Sequence, residues 1–412
     1  MVSRSRVLII GGGFGGLFTA LHLAGDADVT LLSNEDRFTF RPLLYEYLSG
    51  EVEEWHIAPA YQELIDERIS FIKGQAANVD LSTGQVSLAD GREPLAYDVL
   101  VLAVGGLTNY AGVPGAQEHS LGFRGIEDAD RLRQRMVEAL DQIPPDLPPQ
   151  DVRGALTFAV VGGGASGVEL STKMADLLND AFPRRSLKGE PRVLVIEMGD
   201  RVVPGMGEDI REYVEQALHL SRVEVHTMTR VVRVGENSLT LSHEGAESEI
   251  ATAGVVWVGG VRVNPLIENL QVDKTRSGLI KVAPTLQIPG HDNVFALGDN
   301  AHFEDADAPL AGTAQLANQQ AVLAAQNVRA FIAGEKLQTK HFAEIGEAIS
   351  LGTERAAVLT GGKAFAGALA RQARFALYTS RLPTWHHRLR VGASWFFEGT
   401  APRPLLPLGF KR

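Results

Sequence analysis

Two glycine hexads in this chain have the types and spacing to hold a phosphate, Gly11-Gly12-Gly13-Phe14-Gly15-Gly16 and Gly162-Gly163-Gly164-Ala165-Ser166-Gly167. Each follows a short apolar run, Val7 to Ile10 or Thr157 to Val161, and precedes residues at helical spacing, Leu17 to Ala24 or Val168 to Leu178. A strand that turns sharply into a helix leaves the first helix amides bare, and those amides at the positive end of the dipole hold a pyrophosphate. Gly11 and Gly162 permit the tight turn, Gly13 and Gly164 let a phosphate reach the backbone, and Gly16 and Gly167 let helix and strand pack closely. A second strand completes each unit, Val29 to Leu32 and Arg192 to Ile196. Both hexads therefore read as βαβ dinucleotide sites, and two such folds imply two dinucleotides.

The second unit's strand ends at Glu197, whose carboxylate should bond the adenosine ribose of NADH and repel a 2′-phosphate. For one unit-charge pair at ~4 Å and an effective dielectric of ~20 the repulsion is about 4 kcal/mol before screening. Arg201 nearby offsets part of it, so NADPH stays an alternative donor. In the first unit Ser33 stands where an acid usually does, with Glu35 two residues on, and either can bond a ribose hydroxyl.

The elements that must position these residues read as an α/β chain with two Rossmann-like dinucleotide-binding domains. Tyr97 to Gly105 and Gly254 to Gly260 are buried strands that end in small-residue turns and close the two units. Asn293 to Leu297 is a further strand ending in Gly298-Asp299, and an Ala- and Gln-rich helix follows, roughly 312–333. Its place after the second unit implies that the second domain is inserted into the first. The expected divisions are 1–115 and 271–334 for the two parts of the first domain and 151–270 for the second. Residues 116–150 form a connecting helix and the proline-rich linker Pro144 to Pro149, and 335–412 form a C-terminal region.

Composition narrows the chemistry. Among 412 residues there is no cysteine, which excludes disulfides, Cys-ligated zinc, iron–sulfur clusters and thiol redox chemistry. Fifty acidic and 39 basic residues give a net charge of −11, which disfavours nucleic acid as a partner. From Lys363 onward nine Lys or Arg face the single acid Glu398, a net of +8, leaving −19 on residues 1–362. No stretch approaches ~18 apolar residues, and the first strand begins too early for a signal peptide, so the mature chain is expected to begin near Met1 without crossing a membrane.

The basic tail is patterned. On a helical projection Arg371, Arg374, Tyr378 and Arg381 form one stripe and Phe365, Leu369, Ala373 and Ala376 another. After Pro383, read as a first helical residue, Leu382, Trp385, Leu389 and Trp395 recur beside Arg388, Arg390 and Phe396-Phe397. This predicts an amphipathic membrane-binding region on an anionic leaflet; the alternative is a basic helix folded back on the acidic body or used in a dimer. His386 and His387 are adjacent on that helix and point apart, and no metal is assigned.

The two hexads, the Gly298-Asp299 turn, Pro42-Leu43-Leu44-Tyr45 and Ala314-Gln315-Leu316-Ala317-Asn318-Gln319-Gln320 together resemble the type II NAD(P)H:quinone oxidoreductases over essentially the whole chain. Residues 37–55 are most similar to the cyanobacterial and plastid branch associated with demethylphylloquinone or plastoquinone reduction. The resemblance implies FAD in the N-terminal domain and NADH, or NADPH, in the inserted one. It implies a membrane quinone of plastoquinone, demethylphylloquinone or menaquinone type as acceptor, reduced without proton pumping. Pro42 and Leu43 would lie over the flavin, Asp299 and Ala314 would contact FAD, and Gln315 and Gln319 would face flavin and quinone. Glu169 would sit by the same pocket and steer hydride or relay a proton; helix-dipole stabilisation alone also explains an acid there. Glutathione-reductase-like and sulfide:quinone relatives need cysteines that this sequence lacks. The implied place is the cytoplasmic face of a bacterial plasma or thylakoid membrane, with a homodimer as an open alternative. Rival readings are a soluble NADH-dependent reductase of an electron carrier and an NADH-sensing interaction flavoprotein.

Overall fold

Val7 to Ile10 and Val99 to Leu102 are apolar without alternation, the pattern of strands covered on both faces, and they become neighbours at the centre of a mostly parallel sheet. The computed structural model describes residues 4–144, 146–303, 312–342 and 346–406; Pro145 of the linker, 343–345 of the C-terminal region, and Lys411 and Arg412 of the basic tail lie outside the described residues. Two compact units emerge. The first comprises Met1–Thr39, Ala58–Leu107 and Val261–Glu344, and the second Phe40–Ile57, Thr108–Gly260 and Ile345–Arg412.

The first unit holds a six-stranded sheet in the order Gln287–Ile288, His291–Ala296, Val99–Leu102, Arg6–Ile10, Asp28–Ser33, Ile69–Lys73. Only its first strand is antiparallel to its neighbour. The second holds an all-parallel five-stranded sheet in the order Val223–His226, Arg192–Ile196, Thr157–Val161, Gly254–Trp257, Ser120–Leu121. Both sheets are doubly-wound in type, so the loops at the carboxyl ends of their strands are where a dinucleotide binds.

Six helices bear on the sites: α1 (Phe14–Leu23), α2 (Leu44–Leu48), α3 (Ala165–Arg184), α4 (Ala314–Ala333), α5 (Ala368–Ser380) and α6 (Trp385–Glu398). The first and third begin inside the hexads, earlier than hydrophobic spacing alone suggests, because Gly13 and Gly164 serve as their N-caps. Pro383 is not the first residue of α6. Thr384 caps that helix, its Oγ1 accepting from the His387 amide at 3.3 Å, so the proline precedes the cap.

Candidate active site

In the first unit three glycine turns lie at the carboxyl ends of adjacent strands. Gly11 has φ +108°, and a Cβ there would lie 2.2 Å from the Ala103 carbonyl oxygen; one on Gly16 would lie 1.7 Å from that of Gly11. Gly13, in contrast, has nothing within 4 Å of the Cβ position, and α1 has no side-chain cap and no acid in its first turn. Open space before bare helix amides is the geometry that a pyrophosphate needs, so the residues present fit the flavin nucleotide that the sequence implies. Gly15 is packed toward Leu297, and the Phe14 ring turns away into an edge contact with Phe38 at 5.1 Å.

The other two turns are tied to this one. Gly105 donates its amide to Asn300 Oδ1 at 3.2 Å, and Asn300 Nδ2 donates to the Leu102 carbonyl at 3.2 Å. The Gly298 amide donates to Gln320 Oε1 at 2.8 Å, and Asp299 follows in a short 3₁₀ turn beside Gly312. Ala314, Gln315 and Gln319 lie half-buried on α4, whose Gln320 faces inward. Ser33 is buried next to Gly12, and its Oγ accepts from the Glu35 amide at 3.2 Å. Tyr61, which no sequence signal marks, donates its hydroxyl to the Gly12 carbonyl at 2.7 Å. Asn300 adjoins the Gly298-Asp299 turn without a signal of its own, and Gln320 closes the 314–320 motif without showing in sequence that it holds Gly298.

The second unit repeats the construction. Gly162 has φ +112° and lies against Gly259; a Cβ on Gly167 would sit 1.8 Å from the Gly162 carbonyl oxygen. Gly164 is open, and α3 starts without a side-chain cap. Gly260 turns at φ +78°. Glu197 accepts from the Gly163 amide through Oε2 and from the Gly199 amide through Oε1, both at 2.6 Å, which fixes its carboxylate beside the glycine turn. Arg201 pairs with Asp200 at 2.8 Å on the surface.

Around Glu169 the same unit buries a set of charges that single-helix reasoning could not assemble. Arg374 of α5 donates from Nη1 to Glu46 Oε1 at 2.7 Å, and from Nη2 to Glu169 Oε1 at 2.9 Å and to the Pro42 carbonyl at 2.7 Å. Glu169 Oε1 also accepts from the Ser350 amide at 2.8 Å. Lys173 lies 3.4 Å from Glu46 Oε1 and is bonded to Glu51, which Arg371 meets at 2.7 Å. Burial pushes the Glu169 carboxyl up to about 7; Arg374 opposes this and Glu46 reinforces it. Glu46 is also penalised by burial, yet Arg374 and Lys173 together hold it below the ordinary carboxylate range. Tyr45, joined to Ser166 by a hydrogen bond, has its phenol pushed up by burial and by Glu169. Pro42 precedes the fully buried Leu43 in this unit.

The tail helices do not face as their composition suggests. Arg374 points inward and Arg371 is mostly covered, because buried carboxylates await them, and Tyr378 is buried beneath the Arg374 guanidinium with its hydroxyl donating to the Ala348 carbonyl at 3.4 Å. Leu369, Ala373 and Ala376 are exposed, and Phe365 lies on the strand Lys363–Gly367 rather than on the helix. In α6 and just before it, Leu382 is buried and Trp395 meets Phe375 at 4.9 Å, while Trp385, Leu389, Phe396 and Phe397 face outward. The two histidines do diverge: His386 is exposed, and the buried His387 ring lies 2.8 Å from the His56 carbonyl.

Comparison with known proteins identifies the fold and the family. The pyridine nucleotide-disulphide oxidoreductase model matches residues 5–324. The chain is 36% identical over 406 residues to the demethylphylloquinone reductase NdbB of Synechocystis sp., spanning 95% of this chain and 96% of that protein. It is 33% identical over 346 residues to the type II NADH:quinone oxidoreductase Ndh of Mycobacterium tuberculosis, spanning 80% and 73%. The structure of NDH2 from Plasmodium falciparum in complex with NADH shares the fold, with a TM-score of 0.86 over 98% of this chain and 100% of that one at 18% identity. The fold and the two nucleotide sites thus define a pyridine nucleotide-disulphide oxidoreductase scaffold, here without the dithiol. Within it, the chain belongs to the type II NAD(P)H:quinone oxidoreductases, flavoenzymes that use FAD and NADH.

Proposed function

We propose that this enzyme works on a lipid surface, taking reducing equivalents from NADH in preference to NADPH and delivering them to a long-tailed quinone of the demethylphylloquinone, plastoquinone or menaquinone type. The observation that carries the reading is the outward face of the C-terminal helices: α5 turns Arg371 and Arg374 inward onto buried carboxylates, and α5 and α6 together leave Leu369, Trp385, Leu389, Phe396 and Phe397 61–83% exposed. A soluble protein gains nothing from such a patch, but each of these side chains contributes about 1.5–3 kcal/mol when it leaves water. No helix among the described residues is long and apolar enough to cross a membrane, which leaves interfacial docking as the mode. The cytoplasmic leaflet, where NADH is available, is the surface we assign.

Bound FAD would supply the two-electron chemistry that links NADH oxidation to quinone reduction. The first unit's glycine turns would hold its pyrophosphate, with Ser33 on the ribose and Asp299 beside the chain that links the ring system to the phosphates. In the second unit Gly164 and the α3 amides would hold the NADH pyrophosphate and Glu197 its ribose. Gln315 and Gln319 would offer neutral amide donors to a quinone carbonyl. The quinone takes up two electrons and two protons; one proton arrives with the hydride equivalent, and Glu169 in its acid form would give the other and regain it from solvent.

Charging the outward face tests docking. Leu389→Glu, Phe396→Glu and Phe397→Glu combined should release the protein from anionic vesicles and lower long-tailed quinone reduction at least about tenfold, sparing NADH–ferricyanide activity. Unchanged vesicle binding would rule out these residues as the anchor. Deleting 363–412 is a poorer test, because it also removes Arg371 and Arg374 from buried carboxylates. Single-turnover flavin reduction should be at least about tenfold faster with NADH than with NADPH, once screening reduces the Glu197 repulsion. Glu197→Gln should narrow the gap, and faster reduction by NADPH in the unaltered enzyme would overturn the preference.

A further inference from the structure

Arg374 is shared between two carboxylates and cannot serve either one fully. Its Nη1 is on Glu46, its Nη2 is divided between Glu169 and the Pro42 carbonyl, and its Cζ lies 4.7 Å over the Tyr378 ring. The guanidinium is therefore held in place from three sides, and Glu169 receives one N–H of the five that arginine offers, the other N–H of Nη2 going to the Pro42 carbonyl. Lys173, one turn further along α3, cannot make up the difference, because Glu51 takes its ammonium and is itself fastened by Arg371. The groups facing Glu169 are thus Tyr45 and Glu46 from α2, Lys173 from its own helix, Arg374 and Tyr378 from α5, and the Ser350 amide.

We propose that Glu46 is a positioning residue for Glu169: by holding one arm of Arg374 and placing a second negative charge beside it, Glu46 keeps the Glu169 carboxyl able to hold a proton for the quinone. The inference rests on the reading of Glu169 as a proton carrier. Arginine does not release its proton, so the buried charges do not form a wire through Arg374; they act as an electrostatic setting on one carboxyl group. Were Glu46 neutral, Arg374 would favour Glu169 alone, and its ionised form would be stabilised. The direction agrees with the elevation of Glu169, which burial causes and Glu46 enhances.

The test is an infrared titration of the FAD-loaded protein, following the carboxylic acid C=O band that Glu169→Gln removes. In the unaltered protein this band should disappear as pH rises through about 7. In Glu46→Gln the midpoint should fall by about one unit or more, since a like charge has been taken from beside the carboxyl. A midpoint that stays or rises overturns the proposal. Should Glu46→Gln fail to fold, Glu46→Asp, which draws the charge back from Arg374, should lower the midpoint by less, and no change there overturns it equally. A parallel pH profile of quinone reduction separates the two readings. The alkaline fall in rate should vanish in Glu169→Gln and move to lower pH in Glu46→Gln. If the infrared midpoint moves and the profile does not, Glu46 sets Glu169 but Glu169 is not the proton donor.

Discussion

Arg374→Met is expected to destabilise the protein by about 3–5 kcal/mol, a large part of the ~5–15 kcal/mol available to a folded domain. The substitution retains most of the side-chain volume but leaves Glu46 and Glu169 in a buried site with only Lys173 nearby, already engaged by Glu51. The loss should depend on pH in a defined sense. Without the guanidinium both carboxyls prefer to be protonated, so the penalty is greatest where they must ionise, near pH ~8, and shrinks as pH falls toward ~5. In the unaltered protein Glu46 behaves in the opposite way: its carboxyl is depressed, so the stabilisation that it adds is present above its unfolded value and lost as pH falls through the folded one. Urea unfolding at the two pH values measures this, and adding Glu46→Gln to Arg374→Met should restore part of the loss. Equal stability of Arg374→Met and the parent at pH ~8 would show that the ion cluster is not held as described.

Gly16→Val and Gly167→Val are expected to separate the two nucleotide sites. At each position a Cβ would fall within 2 Å of a carbonyl oxygen in its own turn, 1.7 Å for Gly16 and 1.8 Å for Gly167, so strand and helix must part. Gly16→Val should yield colourless protein that takes up no FAD. Gly167→Val should remain yellow, be reduced by dithionite, and lose NADH affinity by at least about a hundredfold, equivalent to about 2.7 kcal/mol. Absorbance of the purified variants and NADH titration of the flavin band decide the matter. A yellow Gly16→Val or a colourless Gly167→Val would mean that the two units hold the opposite nucleotides from those assigned.

These two experiments probe different kinds of information. The glycine hexads are legible in the sequence because their requirements are local. Turn, phosphate approach and helix packing are satisfied by backbone atoms a few residues apart, so glycine at fixed spacing is both necessary and visible. The apolar runs beside them read as buried strands for the same reason, and Glu197 and Ser33 could be named because each ends a recognisable strand. The Gly298-Asp299 turn was visible too, but its anchoring through Asn300 and Gln320 was not, since an amide side chain carries no signature of its partner.

The charge cluster depends on tertiary structure. Glu46 and Arg374 are 328 positions apart, and Glu169 and Arg374 are 205 apart, so no periodicity links them. The projection of the tail put Arg371, Arg374 and Tyr378 on one side of α5 and Leu369, Ala373 and Ala376 on the other, but it wrongly carried the helix back to Phe365, which lies on a strand, and could not say which side faces inward. Arginine beside alanine and leucine reads as the wet side of a helix; here it is the buried side, because three carboxylates from α2, α3 and residue 51 were waiting. Amino-acid order alone determined the two nucleotide folds, through steric demands that close within roughly thirty residues, and it carried the motifs on which the family resemblance rests. Which face of α5 meets solvent, and how Glu169 comes to hold a proton near neutral pH, were decided only when distant segments met, because the cost of burying a charge depends on the partner it finds.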